Sequence, residues 1–434
     1  MKVAVVGAGF TGLSVAVGLV DKGVEVEVFE KANQVGGLAG GWSKNDKRWS
    51  LEYFYHHIFT NDKEIIEMAK KVGLPPTIYS PKTSSLINGK IEQLDSPLSV
   101  LKFSELSMLA RFRMGLGLAL LKVIPNGLFL EKFRIVDLLP KLVGRESYEK
   151  VWKRLLVAKF GKKIEVVNMA WFWARIAKRT KNLGYFEGGF LALAEKMQEY
   201  VEKRGGKVYN NKAFEIDDKE NSGYDKIIIT TPGPIADTMA GEKLMSQIDY
   251  LWSQTLVLEL NQSLMKDYWL NVLEKDWPFL VVVEHTNLVS AKNYAGRVIV
   301  YLGNYLEEDS FQLKMEKAEV LELYIKYLKK INSKFSKEWI EESFLFRAPF
   351  AQPVFPINYS KILKKIPRQK GKYLFANMSM VYPYDRGTNY AVKLGVEVAK
   401  NVYSNGTNSV GYFGVLRSNV DIAVTGLAGG KKSF

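Results

Sequence analysis

The sequence predicts an α/β protein, and three observations carry the prediction. Residues 2–6 (Lys-Val-Ala-Val-Val) are a short apolar, β-branched run of the kind that makes a fully buried strand. A Gly7-Ala8-Gly9-Phe10-Thr11-Gly12 turn follows at once and opens a helical pattern over 13–22, with Leu13, Val17 and Val20 inward. Residues 24–29 then form a second strand that ends in an acid, Glu30.

Strand, glycine turn, helix, strand and acid describe a dinucleotide site in mechanical terms. Gly7 allows the tight turn, Gly9 lets the backbone approach a pyrophosphate, and Gly12 lets helix and strand pack closely. Phe10 and Thr11 lie at the helix start, whose orphan N–H groups face phosphate oxygens. Glu30 is placed to accept hydrogen bonds from a ribose diol. A lone glycine fingerprint is weak evidence. One lodged between a strand and a helix, with an acid closing the next strand, is strong. The competing reading is a glycine-rich turn in some other α/β protein.

The next loop decides which dinucleotide. Lys31 leads through Ala-Asn-Gln into Val35-Gly36-Gly37-Leu38-Ala39. A Rossmann-type opening, an acid and this second glycine loop resemble the two-dinucleotide-loop flavoproteins. That superfamily holds flavin amine oxidases, protoporphyrinogen oxidase, phytoene desaturases and UDP-galactopyranose mutase. The resemblance implies FAD as cofactor, with Gly36 and Gly37 against its pyrophosphate and flavin edge and with Lys31 and Leu38 beside them.

Three later stretches extend the resemblance. His57-Ile58-Phe59 with Thr60-Asn61-Asp62 is similar to the mutase's histidine loop, which borders the flavin. It makes His57 the candidate catalytic residue, histidine being the side chain most easily used as acid or base near neutral pH. Residues 185–232 resemble the superfamily's middle FAD segment, in which the backbone of Ala213 would face the adenine and Thr231 would end the returning strand. Residues 373–377 and 381–391, before a helix over 392–402, resemble its C-terminal flavin motif, with Ala376-Asn377 in place of the usual Gly-Asp. There Asn377 would contact the ribityl chain or pyrophosphate, and Asp385, Thr388, Asn389 and Tyr390 would run beneath the ring. The expected architecture is a Rossmann-type FAD-binding domain built from separated segments (1–80, 184–234 and 351–403). An α+β substrate (cap) domain is inserted at 81–183 and 235–350, and a C-terminal extension covers 404–434.

Within the cap, 84–94 reads as a hairpin around Asn88-Gly89. Residues 98–142 are helix-rich and apolar. The stretch 108–122 is too apolar for a simple surface helix and is expected to be an ordinary buried one; a monotopic membrane patch or a pocket wall is the alternative. Arg175, the charge within an apolar run at 167–176, calls for an anionic partner, either a substrate group or a structural carboxylate. Strands are expected at 212–216, 226–231, 255–260, 279–284 and 297–302, and a solvated helix at 313–331. Residues 347–356 read as an extended, proline-stiffened link. Arg347 in that link and Tyr382 complete the candidate substrate contacts.

Composition narrows the chemistry. With no cysteine, the 434 residues hold no disulfide scaffold, thiolate metal site, cysteine nucleophile or cysteine-linked flavin. Three histidines without cysteine argue against a zinc or iron centre. The formal charge of +15 is strongly basic, but it comes without an arginine-rich tract or a nucleic-acid module. A phosphate-bearing substrate or a membrane surface is therefore preferred to DNA or RNA. No leader is read at the start, and the longest central apolar run, 114–121, is far short of the roughly 20 residues of a membrane span. The expected location is cytoplasmic, with peripheral membrane contact left open. The resemblance implies an FAD-dependent oxidoreductase that moves a hydride from a C–H or C–N bond of an apolar or lipid-like small molecule to flavin N5. The alternatives are a non-redox enzyme of the UDP-galactopyranose mutase type acting on a sugar nucleotide, and a flavin-binding protein without turnover.

Overall fold

Two large sheets divide the chain in a computed structural model that describes residues 1–43, 48–217, 220–384 and 387–404. The first has six strands, in the order Lys207–Tyr209, Glu25–Phe29, Lys2–Val6, Lys226–Ile229, Tyr373–Phe375 and Gln369–Lys370. All neighbours are parallel except the last pair. Val5 pairs with Val28 on one side and Ile228 on the other, and Ile228 pairs with Leu374. Val3, Val5, Val26, Val28 and Ile228 belong to one core, with residues of helices Phe10–Val20, Gly189–Glu202 and Thr388–Ser404. Ala4, Val6, Phe29, Ile227 and Ile229 belong to a second core on the opposite face. Burial on both faces is why these strands are apolar without alternation.

Two of the helices touch through glycine. A Cβ on Gly395 would lie 2.4 Å from Thr11 O, and one on Gly18 would lie 2.6 Å from Ala399 Cβ. Residues 11 to 18 thus run alongside 395 to 399 in the same direction, and the two helices open their amino ends on the same side.

The second sheet has seven strands: Ile340–Pro353, Tyr250–Leu260, Val298–Leu306, Val281–Glu284, Trp269–Val272, Thr83–Ile87 and Lys90–Gln93. Leu256, Leu258, Leu260, Val300 and Leu302 pack beneath helix Lys317–Ile331. The alternate residues Val257, Val283 and Tyr301 join the core of the first sheet, so the cap sheet lies over the dinucleotide unit. Thr83–Ile87 and Lys90–Gln93 form the expected hairpin, with Asn88 and Gly89 at φ +50° and +75°.

Three expectations need correction. Residues 212–216 form no strand: the neighbouring strand ends at Phe29, and beyond it only single bonds remain, such as Lys212 N–H to Glu30 O at 2.8 Å. The stretch 347–356 is no free link, because 347–353 complete the strand Ile340–Pro353. That strand is the sheet's edge, where Pro349 and Pro353 remove no ladder donor that a second neighbour needs. Helix Met108–Val123 is not buried. It hides Ala110, Met114, Gly117 and Leu121, half-buries Leu118, and turns Met108, Leu109, Phe112, Leu116, Leu120 and Val123 to solvent.

Candidate functional site

The two glycine turns meet. Gly7 sits at φ +99°, Gly36 at +109° and Gly37 at +58°, conformations that a side chain makes costly. Gly36 N–H donates to Ala8 O at 2.9 Å, and Gly9 pairs with Gly36 in a parallel bridge. A Cβ on Gly12 would stand 1.9 Å from Gly7 O, so packing alone dictates glycine there. At Gly9 the chain leaves room, since a Cβ would meet only Gly37 Cα, at 3.9 Å. Gly9 starts helix Phe10–Val20 without a side-chain cap, which leaves the first N–H groups of the helix for a ligand. Phe10 and Thr11 are themselves buried.

Polar groups around this cradle match a dinucleotide. The Glu30 carboxylate accepts from Ala8 N–H at 2.8 Å and Ala32 N–H at 2.9 Å, which fixes it at the end of its strand. Lys31 is exposed beside it, and so is Ala213, next to the Lys212 that donates to Glu30 O. The Thr231 hydroxyl is buried without a partner, its methyl 3.8 Å from where a Gly7 Cβ would be. Leu38 packs with Tyr53 and Phe54 on the far side of the second glycine turn. An uncapped helix start, a wall of glycines, an orphaned hydroxyl and an anchored carboxylate fit a pyrophosphate and a ribose.

The third predicted stretch closes on the same place, because helix Thr388–Ser404 runs parallel to Phe10–Val20. Thr388 is buried, and Tyr390 stacks on Tyr384 with ring centroids 4.6 Å apart. Asn389 is occupied elsewhere: its Oδ1 accepts from Ile65 N–H at 3.0 Å and its amide donates to Glu64 at 3.0 Å, fastening helix Lys63–Lys71. Asn377 is buried and turned into its own loop, with Oδ1 accepting from Ser379 N–H at 3.2 Å and Nδ2 3.2 Å from Met245 Sδ. Asp385 lies outside the described residues.

His57 borders the site from the cap side. Its Nδ1 is 3.1 Å from Tyr268 Oη, and the rings of Phe59, Tyr268 and Trp269 surround it. Neighbouring His56 packs at a tilt against Phe190, whose ring in turn meets Phe10 at 6.2 Å, which ties this loop to the first glycine turn. Burial, with Arg179, His56 and Arg175 adding charge repulsion, holds the His57 imidazole down to about 3. It is therefore neutral at pH 7. Arg179 is exposed, yet burial and the adjacent Arg175 lower its pKa against the pull of Asp95. Arg175 is exposed over the Trp171 ring at 5.1 Å, and Lys178 Nζ lies 5.3 Å from the centroid of Tyr384. Arg175, Lys178 and Arg179 thus bring positive charge to the ground between His57 and Tyr384.

Two candidate substrate residues lie away from this crevice. Arg347 donates through Nε to Gln254 Oε1 at 2.7 Å and through Nη2 to the carbonyls of Gln312 (2.8 Å) and Met315 (2.6 Å). Strand alternation turns it toward the helix Lys317–Ile331 side, while Phe344 and Phe346 turn to Trp42 on the other. Tyr382 is buried between Phe355 and Tyr359, with centroids 5.2 and 4.9 Å away. A separate hollow of about 380 Å³, lined by Phe160, Trp277, Phe279 and Glu307, sits in the cap and includes none of the glycine turns.

Sequence reasoning missed Glu52. It is buried, its Oε1 accepts from Tyr185 Oη at 2.7 Å and from Phe190 N–H at 2.9 Å, and Oε2 is buried without a partner. Burial lifts its carboxyl to about 7, against hydrogen bonds that pull the other way. The only signal in the chain was a lone acid inside the apolar run Leu51 to Phe54.

Comparison with known proteins agrees with this geometry. The zeta-carotene desaturase of Synechocystis sp. is 27% identical over 283 residues, covering 57% of this chain and 58% of that protein. That of Solanum lycopersicum is 30% identical over 178 residues, 35% of this chain and 30% of its own length. The chain thus spans little more than half the length of the first relative and less of the second. Among solved structures, a reduced UDP-galactopyranose mutase superposes with TM-score 0.73 at 16% identity, over 94% of this chain and 96% of that one. Cyclohexylamine oxidase from Brevibacterium oxydans gives TM-score 0.67 at 14% identity, over 93% and 98%. The model of the flavin-containing amine oxidoreductases matches residues 10–343. With its paired glycine turns, its anchored acid and this match, the chain belongs to the flavin-containing amine oxidoreductase family, and its dinucleotide is FAD.

Proposed function

We propose that this FAD-dependent oxidoreductase withdraws hydrogen from a C–H bond of an apolar, lipid-like substrate such as an isoprenoid chain. One observation carries the reading: the cap side that borders the glycine cradle around His57 is built mainly of aromatic rings. Tyr268 and Tyr301 share one core with Phe10, Val35 and Phe190; Tyr55 and Trp269 pack against it, and His57 is neutral beside them. Such a wall binds hydrocarbon by removing it from water, at about 25 cal/mol per Å² of apolar surface covered. The desaturases that resemble this chain act, by name, on a carotene, which supports the choice of substrate class.

Bound FAD supplies a two-electron acceptor for the hydride. The chain's residues place the substrate and exclude water. His57, held near pKa 3, is too weak a base to keep a released proton at neutral pH, so we assign it a positioning role through its bond to Tyr268. The proton left on the neighbouring carbon passes to solvent as the double bond forms.

A second reading, a reductively activated sugar-nucleotide mutase, is favoured by one observation, the cations Arg175 and Arg179 near His57, with Lys178 beyond them at Tyr384. Anaerobic mixing of the yellow holoprotein with isoprenoid hydrocarbons separates the two. Loss of the visible flavin bands with one new C=C bond per flavin is the expected result. Turnover of UDP-galactopyranose after dithionite reduction, with no bleaching by any hydrocarbon, would install the second reading instead. Bleaching by dithionite alone, without turnover of either substrate, would leave a flavin-binding protein.

A further inference from the structure

We infer that helix Met108–Val123 seats the protein on an anionic lipid bilayer. The helix is 16 residues long and hides only Ala110, Met114, Gly117 and Leu121. At 100° per residue these four occupy one arc of about 60°. On the opposite side Met108, Leu109, Phe112, Leu116, Leu120 and Val123 fill an arc of about 120°, nearly all apolar. All six are at least half exposed, Leu109 at 80%, Val123 at 74% and Leu116 at 64%. Leu98 and Leu101 on the preceding helix Pro97–Lys102 are exposed as well. An apolar stripe of this size on the surface marks something that covers it.

Charge identifies the cover. The helix carries no acid. Arg113 flanks the stripe on one side and Arg111 and Lys122 flank it on the other, their charged heads held at its margins by the carbonyls of Lys141, of Leu101 and Leu106, and of Arg179. Of the nearby carboxylates, Glu105 before the helix is paired with Lys90 (3.1 Å), Glu146, which also accepts from Ser107 N–H at the helix start, is paired with Lys150 (2.9 Å), and Glu131, the first acid after the helix, accepts from Ser360 N–H at 3.0 Å. The whole chain bears +15. An apolar face rimmed by cations suits acyl chains beneath phosphate headgroups. A second copy would bring the same positive rims against each other. Among the described residues no helix is long and apolar enough to cross a membrane, so the contact is with one leaflet. The helix also ends beside the cations near His57: Lys122 Nζ donates to the backbone carbonyl of Arg179 at 3.4 Å. The membrane contact does not depend on which substrate the crevice accepts.

The test is co-sedimentation of the FAD-loaded full chain with vesicles of equal parts phosphatidylglycerol and phosphatidylcholine, and with pure phosphatidylcholine. Strong binding to the anionic vesicles is expected, with Leu116→Glu and Phe112→Glu each lowering the partition coefficient about tenfold or more. Arg113→Gln combined with Lys122→Gln should weaken anionic binding about tenfold and leave the neutral vesicles unchanged. All four positions are wholly or largely exposed, and the flavin spectrum and melting temperature of each variant report whether it has folded. Failure of the folded parent to bind anionic vesicles, or equal binding by parent and Glu variants, overturns the inference. So does a dimer in light scattering that Leu116→Glu dissociates.

Discussion

Replacing Glu52 with glutamine tests the buried network under the crevice. An ordinary glutamate ionises near 4.5, and burial lifts this one to about 7. Below pH 4.5 the carboxyl is protonated whether the chain is folded or not, and the stability it contributes is complete. As pH rises from 4.5 to about 7 the unfolded chain sheds a proton that the folded one keeps, and that contribution declines; above 7 it is level. At about 1.4 kcal/mol per pH unit the interval amounts to about 3 kcal/mol. Glutamine keeps an oxygen for Tyr185 Oη and Phe190 N–H but cannot ionise. The stability of Glu52→Gln relative to the parent should therefore climb by about 3 kcal/mol between pH 4.5 and 7.5, then stay flat. His57 and His285, both held down to about 3 by burial, lose stability in the opposite direction, as pH falls below 6.5. They cancel in the difference. Urea unfolding of both proteins at saturating FAD, from pH 4.5 to 8, provides the measurement. A pH-independent difference, or a parent that gains on the variant as pH rises, means that Glu52 is ionised in the native fold and refutes the reasoning.

Other substitutions read other parts of the site. Gly12→Ala forces a methyl to within 1.9 Å of Gly7 O; flavin affinity in a fluorescence titration should fall about a hundredfold or more, and a yellow preparation would contradict the cradle. Arg347→Ala leaves Gln254 Oε1 and the Gln312 and Met315 carbonyls without their donor. Denaturant unfolding should show a loss of about 3 kcal/mol while KM stays unchanged, and a raised KM would return Arg347 to the substrate. With His57 held near 3, the pH–rate profile should lack a limb near 6.5. His57→Gln should lower kcat/KM and keep the profile's shape; a limb that disappears in the variant would make His57 an acid or base.

Legibility followed the range of the interactions. The strand, the turn and helix Phe10–Val20 could be read because each glycine answers a local demand, as Gly12 does against Gly7 O. The Asn88-Gly89 hairpin was readable for the same reason. Residues 347–353 were misread because an edge strand containing proline is defined by its partner Tyr250–Leu260, about ninety residues earlier in the chain. Glu52 was invisible because only the fold sets it against Tyr185, 133 positions away. For helix Met108–Val123 the composition announced apolar faces but not that one of them lacks a protein neighbour. Asn377 and Asn389 sit in the expected stretches, yet their side chains answer to Ser379 and to Ile65 and Glu64, contacts no motif records.

The cations beside His57 decide between the two readings of the crevice, and the membrane face gives them a place. A guanidinium set against hydrocarbon is costly to desolvate, so an isoprenoid site should keep Arg175, Lys178 and Arg179, the last with Asp95 acting on it, at its mouth. The Lys122–Arg179 contact puts that mouth at the end of the exposed helix. Seated on an anionic leaflet, the three cations lie at headgroup level, where lipid phosphates neutralise them and the hydrocarbon enters past them. On this view Arg179→Gln weakens binding to phosphatidylglycerol vesicles by about fivefold and leaves turnover of detergent-solubilised substrate unchanged. If the same substitution spares vesicle binding and instead raises KM for a sugar nucleotide many-fold, Arg179 serves a diphosphate, and the apolar reading of the crevice fails with it.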